Sequence, residues 1–285
     1  MEAFYIGCPM WGYKEWVGRF FPPRTPASEF LRLYSRRLTT VEGNTTFYAL
    51  PSAETVARWR QETPETFRFC PKISRDISHT EPLDAHTAET YHFIERMRGL
   101  GSRLGPIFLQ LPPAFGPDQL PQLHRFLERW PEDVRLAVEV RHPTFFQEPQ
   151  ELDALLQRFR AARVIMDTRP IRIGSREEVQ DMQKRERKPN LPLHLATTTD
   201  FAFVRYIGHP RMEVNAPLLA QWAHQLGQWL KQGVTVYVFC HCPYEEHSPF
   251  ICAELYRQLQ QHVSLPALPW RPDAPDTTPE QPRLF

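Results

Sequence analysis

Eight short apolar runs, each followed by a segment of helical periodicity, constrain the fold of this chain more than any other feature. The runs cover residues 4–8, 39–47, 67–74, 106–113, 136–142, 164–168, 201–208 and 234–242. Runs of this length that are rich in Val, Ile, Phe and Tyr are typical of buried strands. Because eight strands that each precede a helix are the element order of a (β/α)8 barrel, the sequence predicts an α/β fold of the TIM-barrel type.

A doubly wound open sheet is the alternative architecture for alternating strands and helices. It usually carries a glycine-rich G-x-G-x-x-G turn after its first strand, whereas residues 7–12 read GCPMWG. The sequence therefore favours the barrel. The sixth connection is the least regular part of the pattern, because KRERKPNLPLHLATTT (residues 184–199) is long and irregular.

The charges of this 285-residue chain nearly cancel, with 34 Lys and Arg against 33 Asp and Glu. No global positive field therefore favours non-specific binding to nucleic acid or to a membrane surface. No secretion signal opens the sequence, and no apolar stretch approaches the roughly 18 residues of a membrane span. Together with five cysteines that form no C-x-x-C pair, these features predict a cytoplasmic protein with reduced thiols and no membrane association.

Residues 265–285, LPALPWRPDAPDTTPEQPRLF, differ in character from the rest of the chain. They are rich in proline and lack periodic apolar positions, which is typical of an extended segment that does not pack as an element. We therefore predict one barrel domain over residues 1–264, followed by a proline-rich and disordered tail over residues 265–285.

Polar and charged side chains lie near the carboxyl ends of the predicted strands. Glu139 and Arg141 share one face of the fifth strand, while Val138 and Val140 share the other. Comparable positions on the other strands hold Glu42, Asn44, Lys72, Gln110, Asp167, Arg169, Arg205 and His241. Since the active sites of TIM barrels lie at the carboxyl ends of the strands, we predict that these side chains line one polar pocket.

The chemistry of this set indicates an anionic substrate, such as a phosphorylated small molecule or a nucleotide-containing molecule. Arg presents a bidentate fork to phosphate or carboxylate, and the set contains the four cations Lys72, Arg141, Arg169 and Arg205. The carboxylates, which hold the cations in place or act as acid and base, are Glu42, Glu139 and Asp167. Glu139 is the predicted general base, because a neighbouring Arg keeps it ionised. Structural ion pairs that only satisfy one another are the alternative.

A divalent metal is a second alternative for these positions, since metal-dependent barrels use oxygen and nitrogen ligands. The available ligands are Glu42, Glu139, Asp167, His142 and His241. No H-E-x-x-H or comparable spacing supports a metal site and the cations would repel a metal, so none is predicted and the cofactor stays open. A third alternative is a nucleophilic pair of Cys8 and His241, because the first and last strands are neighbours in a closed barrel.

Seven motifs, in this order along the chain, carry a family resemblance: YIGCPMW, VEGNTTFYALPS, FRFCPKISRDISH, LQLPPAFGP, AVEVRHPTFF, MDTRP and VYVFCHCP. They resemble the YecE-like family, a domain family of unknown function, over nearly the whole predicted domain. The resemblance implies a TIM-type barrel and no established activity. The family's motif positions in this chain are Glu42, Asn44, Thr46, Phe47, Tyr48, Lys72, His79, Gln110, Pro112, Pro113, Glu139, Arg141, His142, Asp167 and Arg205. Tyr48 and His142 thereby join the predicted substrate-binding residues.

Three positions depart from the family pattern. Many relatives have threonine in place of Cys8, which argues against a nucleophilic role for this thiol. Many have asparagine in place of His241, which makes this histidine the feature of a subgroup. The family places a histidine soon after the Arg of the seventh strand, whereas this chain has Tyr206, Ile207 and Gly208 there, with His209 nearby.

The last five residues, QPRLF, resemble the Q-x-x-L-F pentapeptide with which bacterial DNA-maintenance proteins bind the replication sliding clamp. A disordered arm that carries a Leu–Phe anchor preceded by a Gln suits insertion into an apolar groove. We expect Gln281, Leu284 and Phe285 to make this contact. The alternative is an ordinary disordered segment that happens to contain Leu and Phe.

Two functional hypotheses from different classes follow from these observations. An enzyme, with hydrolysis as the leading reaction class, would convert the anionic substrate in the polar pocket. A non-catalytic module would hold a phosphorylated ligand at the same residues, while the tail tethers the barrel to a partner such as the clamp. In either case we expect the aromatic residues near the strand ends to wall the pocket, with stacking on a ring or base of the substrate as the alternative; they are Trp11, Phe47, Tyr48, Phe145 and Phe146.

Overall fold

The computed structural model describes residues 4–186, 188–270 and 272, which form a barrel of eight parallel strands. The strands are β1 (Phe4–Cys8), β2 (Thr40–Gly43), β3 (Arg68–Pro71), β4 (Ile107–Gln110), β5 (Leu136–Glu139), β6 (Ala162–Asp167), β7 (Phe201–Ile207) and β8 (Thr235–His241). Hydrogen bonds join them in the order β3-β2-β1-β8-β7-β6-β5-β4. Between β3 and β4, the amide of Gly105 donates to the Phe69 carbonyl at 2.7 Å and that of Ile73 to the Phe108 carbonyl at 2.9 Å. The predicted TIM-type barrel is therefore confirmed.

The helices surround the barrel, and local sequence explains where several of them begin. They are α1 (Phe30–Tyr34), α2 (Ala53–Glu62), α3 (Arg75–Ser78), α4 (Thr87–Arg98), α5 (Leu120–Glu128), α6 (Thr144–Gln147), α7 (Gln150–Arg158), α8 (Arg176–Glu186), α9 (Met212–Lys231) and α10 (Ser248–Leu259). Ser52 caps α2, because its hydroxyl accepts a hydrogen bond from the Thr55 amide at 3.2 Å. Pro249 lies in the first turn of α10, where a missing N–H group leaves no helical bond unmade.

Two apolar cores lie on the two faces of the sheet. Val138 and Val140 belong to the outer core, between the strands and the helices. The inner core fills the barrel with aromatic rings, among which Tyr5 and Tyr237 stack at a centroid distance of 4.8 Å. Because side chains alternate along a strand, Glu139 faces the barrel interior, as the spacing predicts. The aromatic core therefore forms a dry floor beneath the carboxyl ends of the strands.

Several strands end earlier than the apolar runs predict. β2 ends at Gly43, and a 3-10 helix (Asn44–Phe47) follows directly. The Thr46 hydroxyl fixes this turn, because it lies 2.8 Å from the Gly43 carbonyl and 2.6 Å from the Lys72 carbonyl. Early strand ends place Asn44, Lys72 and Arg141 on the connections after β2, β3 and β5, above the barrel interior.

The described start of the proline-rich tail is extended but packs on the barrel. Leu268 and Trp270 are buried, and the Trp270 ring contacts Phe20 edge-on at a centroid distance of 4.7 Å. An apolar indole adjacent to an aromatic cluster gains more by burial than an extended segment loses by ordering. The predicted clamp-binding residues Gln281, Leu284 and Phe285 lie outside the described residues.

Candidate functional site

Arg205 on β7 is the centre of a polar network at the carboxyl end of the barrel. Its Nε and Nη2 atoms donate to the two carboxylate oxygens of Glu42 at 2.8 and 2.9 Å. Its Nη1 atom donates to Glu139 at 2.6 Å. All three side chains are at most 2% exposed. One guanidinium from β7 is thus buried between two carboxylates from β2 and β5. Each of its three nitrogen atoms donates a charge-assisted hydrogen bond to a carboxylate oxygen.

A second chain of contacts extends this network across β3, β4 and β5. Arg141 donates through Nε to Glu139 at 2.7 Å and through Nη2 to the Gln110 amide oxygen at 2.9 Å. Lys72 donates to the same oxygen of Gln110 at 2.8 Å. We call the connected residues the central cluster: Glu42, Asn44, Lys72, Gln110, Glu139, Arg141, Arg205 and His241. The predicted convergence of polar side chains is therefore present for these eight residues.

Asn44 and His241 complete the central cluster around Glu42. The Asn44 amide donates to Glu42 at 2.8 Å and to the Pro9 carbonyl at 3.1 Å. His241 on β8 lies with Nε2 3.2 Å from Glu42. Burial lowers the pKa of His241 despite the attraction of Glu42. At neutral pH the imidazole is therefore neutral and donates to the carboxylate.

Burial and neighbouring charges set the ionisation of the buried acids. Burial alone would raise the pKa of Glu42 and Glu139 and is the largest single effect at each, but Arg205 and the other neighbours together outweigh it. With His241 as a further neighbour, the pKa of Glu42 falls well below its ordinary value. With Arg141 as a further neighbour, the pKa of Glu139 falls to about 2. Both carboxylates are thus ionised at neutral pH, as the sequence predicts for Glu139.

The charge of Lys72 departs from the sequence prediction. Burial, followed by repulsion from Arg205, lowers the pKa of Lys72 to about 7, although Glu139 and Glu42 partly oppose this. The ammonium lies 4.0 Å from the centroid of the Phe47 ring and 5.6 Å from that of Phe108. Burial and the neighbouring guanidinium groups therefore favour the neutral amine of Lys72, whereas the two ring faces favour its ammonium form.

Lys188 is a residue of the site that the sequence prediction missed. It follows α8, in the irregular sixth connection, where its carbonyl accepts a hydrogen bond from Arg172 at 2.9 Å. Its charge contributes to lowering the pKa of both Glu139 and His241, which places it near the barrel opening. The only sequence signal was the irregularity of this connection, which gives no position to any particular residue.

The same connection covers the end of β7 with apolar side chains. Ile171 and Met182 pack on Ile207, and the half-buried Met166 and Val179 join them. Ile207 has the same strand parity as Arg205, so this apolar cover lies directly beyond the central cluster. The segment between β6 and β7 therefore limits access of solvent to the buried charges.

Asp167 and Arg169 do not converge with the central cluster. On β6 it is Met166 that lies beside Arg205, whereas Asp167 lies beside Tyr206, whose ring faces the helices. The Trp222 indole of α9 donates to Asp167 at 2.8 Å, and Arg169 caps the same carboxylate at 2.8 Å. The pair is thus an ion pair at the end of β6 that a hydrogen bond from Trp222 joins to α9, as expected for structural ion pairs that satisfy one another.

Tyr48 and His142 lie near the central cluster without a hydrogen bond to it among the described residues. Tyr48 is 81% exposed, and its ring contacts Phe47 edge-on at 5.2 Å. His142 is half-buried and accepts a hydrogen bond from the Thr144 amide at 3.3 Å. Both residues follow strands of the cluster, so they border the opening above it.

The geometry also bears on the metal and thiol alternatives. In residues 4–186 and 188–270, no three His, Cys, Asp or Glu side chains converge as metal ligands. The two carboxylates at the centre are instead occupied by Arg205. Cys8 faces the outer core 3.8 Å from the Cys252 sulfur, and burial raises its pKa, whereas His241 faces inward. The two residues therefore lie on opposite faces of the barrel wall and form no nucleophilic pair.

Two surface cavities lie away from the central cluster. A groove of about 490 Å³ between α5 and α7 is lined by Leu120, His124 and Leu155. It lies in the helix layer, outside the barrel. A cavity of about 380 Å³ beside the ends of β7 and β8 is lined by Asp181, His209 and Tyr244 among others. Neither groove contains a residue of the central cluster.

Known proteins match this chain over most of its length. The family described as protein of unknown function DUF72 matches residues 5–276. The UPF0759 protein YecE of Escherichia coli is 38% identical over 274 residues, which cover 93% of this chain and 97% of that protein. The UPF0759 protein YunF of Bacillus subtilis is 27% identical over 158 residues, or 51% of this chain and 53% of that protein.

Two solved structures share the fold. A DUF72 family protein from Enterococcus faecalis superimposes with a TM-score of 0.69 at 18% identity, covering 93% of this chain and 96% of that chain. A DUF72 family protein from Thermotoga maritima gives a TM-score of 0.66 at 21% identity, covering 90% and 99%. The resemblance that the sequence motifs indicated is thereby confirmed, and the chain belongs to the DUF72 family of proteins of unknown function.

Proposed function

We propose that the protein is an enzyme that acts on a small anionic molecule, such as a phosphate ester, at the carboxyl end of the barrel. The observation that carries this proposal is the unshared hydrogen-bonding capacity of Arg141. Its Nε and Nη2 atoms are held by Glu139 and Gln110, while Nη1 has no acceptor among the described residues. Because a guanidinium prefers to fill its fork with an oxyanion, Arg141 is the anchor for the substrate's anionic group.

The other charges of the central cluster support Arg141. Glu42, Glu139 and Arg205 satisfy one another and hold the position of Arg141 from below. Lys188 adds a second positive charge near the opening. A rigid, buried network beneath one available fork is the arrangement that preorganised binding sites use.

Glu139 fits a positioning role better than the role of general base. Arg205 and Arg141 each donate to one of its oxygens, at 2.6 and 2.7 Å. The same contacts lower the pKa of Glu139 to about 2. A carboxylate this stable in its ionised form accepts a proton poorly, so the acid–base step of a hydrolytic reaction would fall to another group.

A nucleotide-containing substrate remains the proposed subclass because of Tyr48. Its 81% exposed ring lies on the connection after β2, next to Phe47, whose ring contacts Lys72. An exposed aromatic ring beside an anion site can stack on a base. For the compartment we propose the cytoplasm, since all five cysteines are buried and form no disulfide. Among the described helices, none is long and apolar enough to cross a membrane.

Calorimetric titration with inorganic phosphate, ribose 5-phosphate and AMP tests the proposal. We expect Arg141→Ala to weaken binding by about tenfold or more, since a charged hydrogen bond contributes about 1.5–3 kcal/mol. The matched control is Arg135→Ala, because Arg135 precedes the same strand at its opposite end and pairs with the exposed Asp200. Tyr48→Ala should weaken the binding of AMP but not that of inorganic phosphate or ribose 5-phosphate.

Equal binding by both arginine variants would refute the assignment of the anion site. Turnover separates the enzyme from the binding module. We expect hydrolysis or rearrangement of at least one phosphorylated compound, detected by phosphorus NMR and lost in Arg141→Ala. Tight, Arg141-dependent binding without any turnover across the set would instead identify a non-catalytic module.

A further inference from the structure

Lys72 occupies an environment that disfavours an ammonium ion. Its side chain is buried, with the amine over the rings of Phe47 and Phe108 at 4.0 and 5.6 Å from their centroids, and this cation–π attraction offsets only part of the cost of burying the charge. Among the described residues, its one hydrogen-bond acceptor is the neutral amide oxygen of Gln110, at 2.8 Å. An ammonium group has three donors, so two of them meet no acceptor in this part of the chain.

The nearby carboxylates compensate the charge of Lys72 only in part. Glu42 and Glu139 direct their oxygens to Arg205 and Arg141, at distances between 2.6 and 2.9 Å. No acidic oxygen of the described residues lies within ion-pair distance of Lys72. The two guanidinium groups instead repel it. Desolvation beside other cations is the arrangement by which proteins keep a lysine in its nucleophilic, neutral form.

The position of Lys72 relative to Arg141 defines the reach of a substrate. Both side chains donate to the same Gln110 oxygen, at 2.8 and 2.9 Å. Their nitrogen atoms are therefore close neighbours, and one short molecule can contact both. An anionic group on Arg141 would place an adjacent carbon atom beside the Lys72 amine.

We propose that Lys72 forms a Schiff base with an aldehyde or ketone that carries a carboxylate or phosphate group close to its carbonyl carbon. This inference rests on the proposed anion site at Arg141. The amine lone pair forms a bond to the carbonyl carbon, and the carbonyl electrons move to oxygen to give a carbinolamine. One amine proton moves to the carbonyl oxygen in the carbinolamine. The resulting hydroxyl then leaves with the second amine proton as water, and the imine remains. No oxidant, reductant or metal enters the balance.

Reductive trapping tests this step directly. The protein is incubated at neutral pH with glyoxylate or glycolaldehyde phosphate, reduced with sodium borohydride, digested and analysed by mass spectrometry. The sequence contains only five lysines, at positions 14, 72, 184, 188 and 231, so each adduct is assigned without ambiguity. At neutral pH a lysine with a pKa of about 7 is about half neutral, whereas an ordinary lysine is neutral in less than one molecule in a thousand.

We expect Lys72 to be labelled about tenfold or more faster than the exposed Lys231. Lys72→Met should abolish that adduct, while Lys231→Met should leave it unchanged. Arg141→Ala should slow labelling by glyoxylate about tenfold but not labelling by uncharged acetaldehyde. The rate of Lys72 labelling in the wild-type protein should rise with pH and reach half of its maximum near pH 7. This measurement uses the wild-type protein alone, so it does not depend on the folding of a variant.

Labelling of Lys72 at the rate of Lys231, or preferential labelling of Lys188, would overturn the inference. Phosphate binding that depends on Arg141 would then still stand, and only the Schiff base would be lost. If Arg141→Ala left both phosphate binding and glyoxylate labelling unchanged while Lys72 reacted rapidly, the anion site would fail and the nucleophilic amine would stand alone.

Discussion

Replacing Lys72 with Met should stabilise the protein, and the gain should shrink as the pH rises. Met has a similar length and no charge, so the change removes the buried amine without opening a large cavity. Gln110 keeps a partner, because its oxygen still accepts from Arg141 at 2.9 Å. The variant therefore isolates the cost of holding a lysine among guanidinium groups.

The magnitude follows from the lowering of the Lys72 pKa from 10.5 to about 7. Between these two values the unfolded chain binds a proton that the folded chain does not, so wild-type stability rises with pH in this range. Below pH 7 the folded and the unfolded chain both bind the proton, so the folded state bears the full free-energy cost of the buried charge. Each pKa unit corresponds to about 1.4 kcal/mol, so the free-energy cost of the buried ammonium is roughly 5 kcal/mol at pH 6 and roughly 2 kcal/mol at pH 9.

Urea denaturation of wild-type and Lys72→Met protein at pH 6, 7, 8 and 9 measures this difference. We expect the stability gain of the variant to fall by about 3 kcal/mol across the series. The cation–π contact with Phe47 is made only while Lys72 is protonated, so its loss subtracts from the stability gain mainly at low pH. Lys231→Met, a change at the exposed end of α9, should run parallel to wild type. A gain that stays constant from pH 6 to pH 9 would refute the argument that the site disfavours the ammonium.

Three further predictions concern the network, its neighbour on β6 and the tail. Arg205→Met removes the guanidinium partner of Glu42 and one of the two guanidinium partners of Glu139, so it should cost about 3–5 kcal/mol in urea denaturation at neutral pH. The cost should be smaller near pH 4, where an unpaired carboxyl binds a proton. Trp222→Phe removes the hydrogen bond to Asp167 and should cost about 1–3 kcal/mol, without weakening phosphate binding, since this pair lies outside the central cluster. For the tail we propose docking on the sliding clamp through residues 281–285. Their deletion should abolish capture by the immobilised clamp at an unchanged melting temperature, and equal capture of both forms would contradict the proposal.

Alternation along single strands was the part of the site that the sequence predicted best. It assigned Glu139 to the barrel interior and Val138 and Val140 to the helix layer, and the structure agrees. The reason is that the faces of one strand are fixed by backbone geometry, whatever surrounds the strand. The eight-strand order was predictable for a related reason, since each short apolar run was bounded by polar residues or by helical periodicity.

The sequence did not predict which face of every strand turns toward the barrel interior. Asp167 and Arg169 share a face, as predicted, but that face points to α9 and not into the barrel. Which face of β6 turns inward depends on its register with β7, where Met166 pairs with Arg205. Register arises from packing across the whole sheet, and the sequence of one strand does not contain it. Lys188 was missed for a similar reason, because an irregular connection gives no periodicity from which to place a side chain.

The structure also changes what the four predicted cations mean for the substrate. Arg205 is neutralised by Glu42 and Glu139, Arg169 faces the helices, and burial makes Lys72 partly neutral. Within the described part of the chain, Arg141 is then the member of that set whose Nη1 group meets no acceptor. A site with so little uncompensated positive charge suits a molecule with a single carboxylate or phosphate. A polyanion such as a nucleic acid backbone would bury more charge than these residues can neutralise. We therefore propose a small metabolite, and not a nucleic acid, as the ligand of the central cluster.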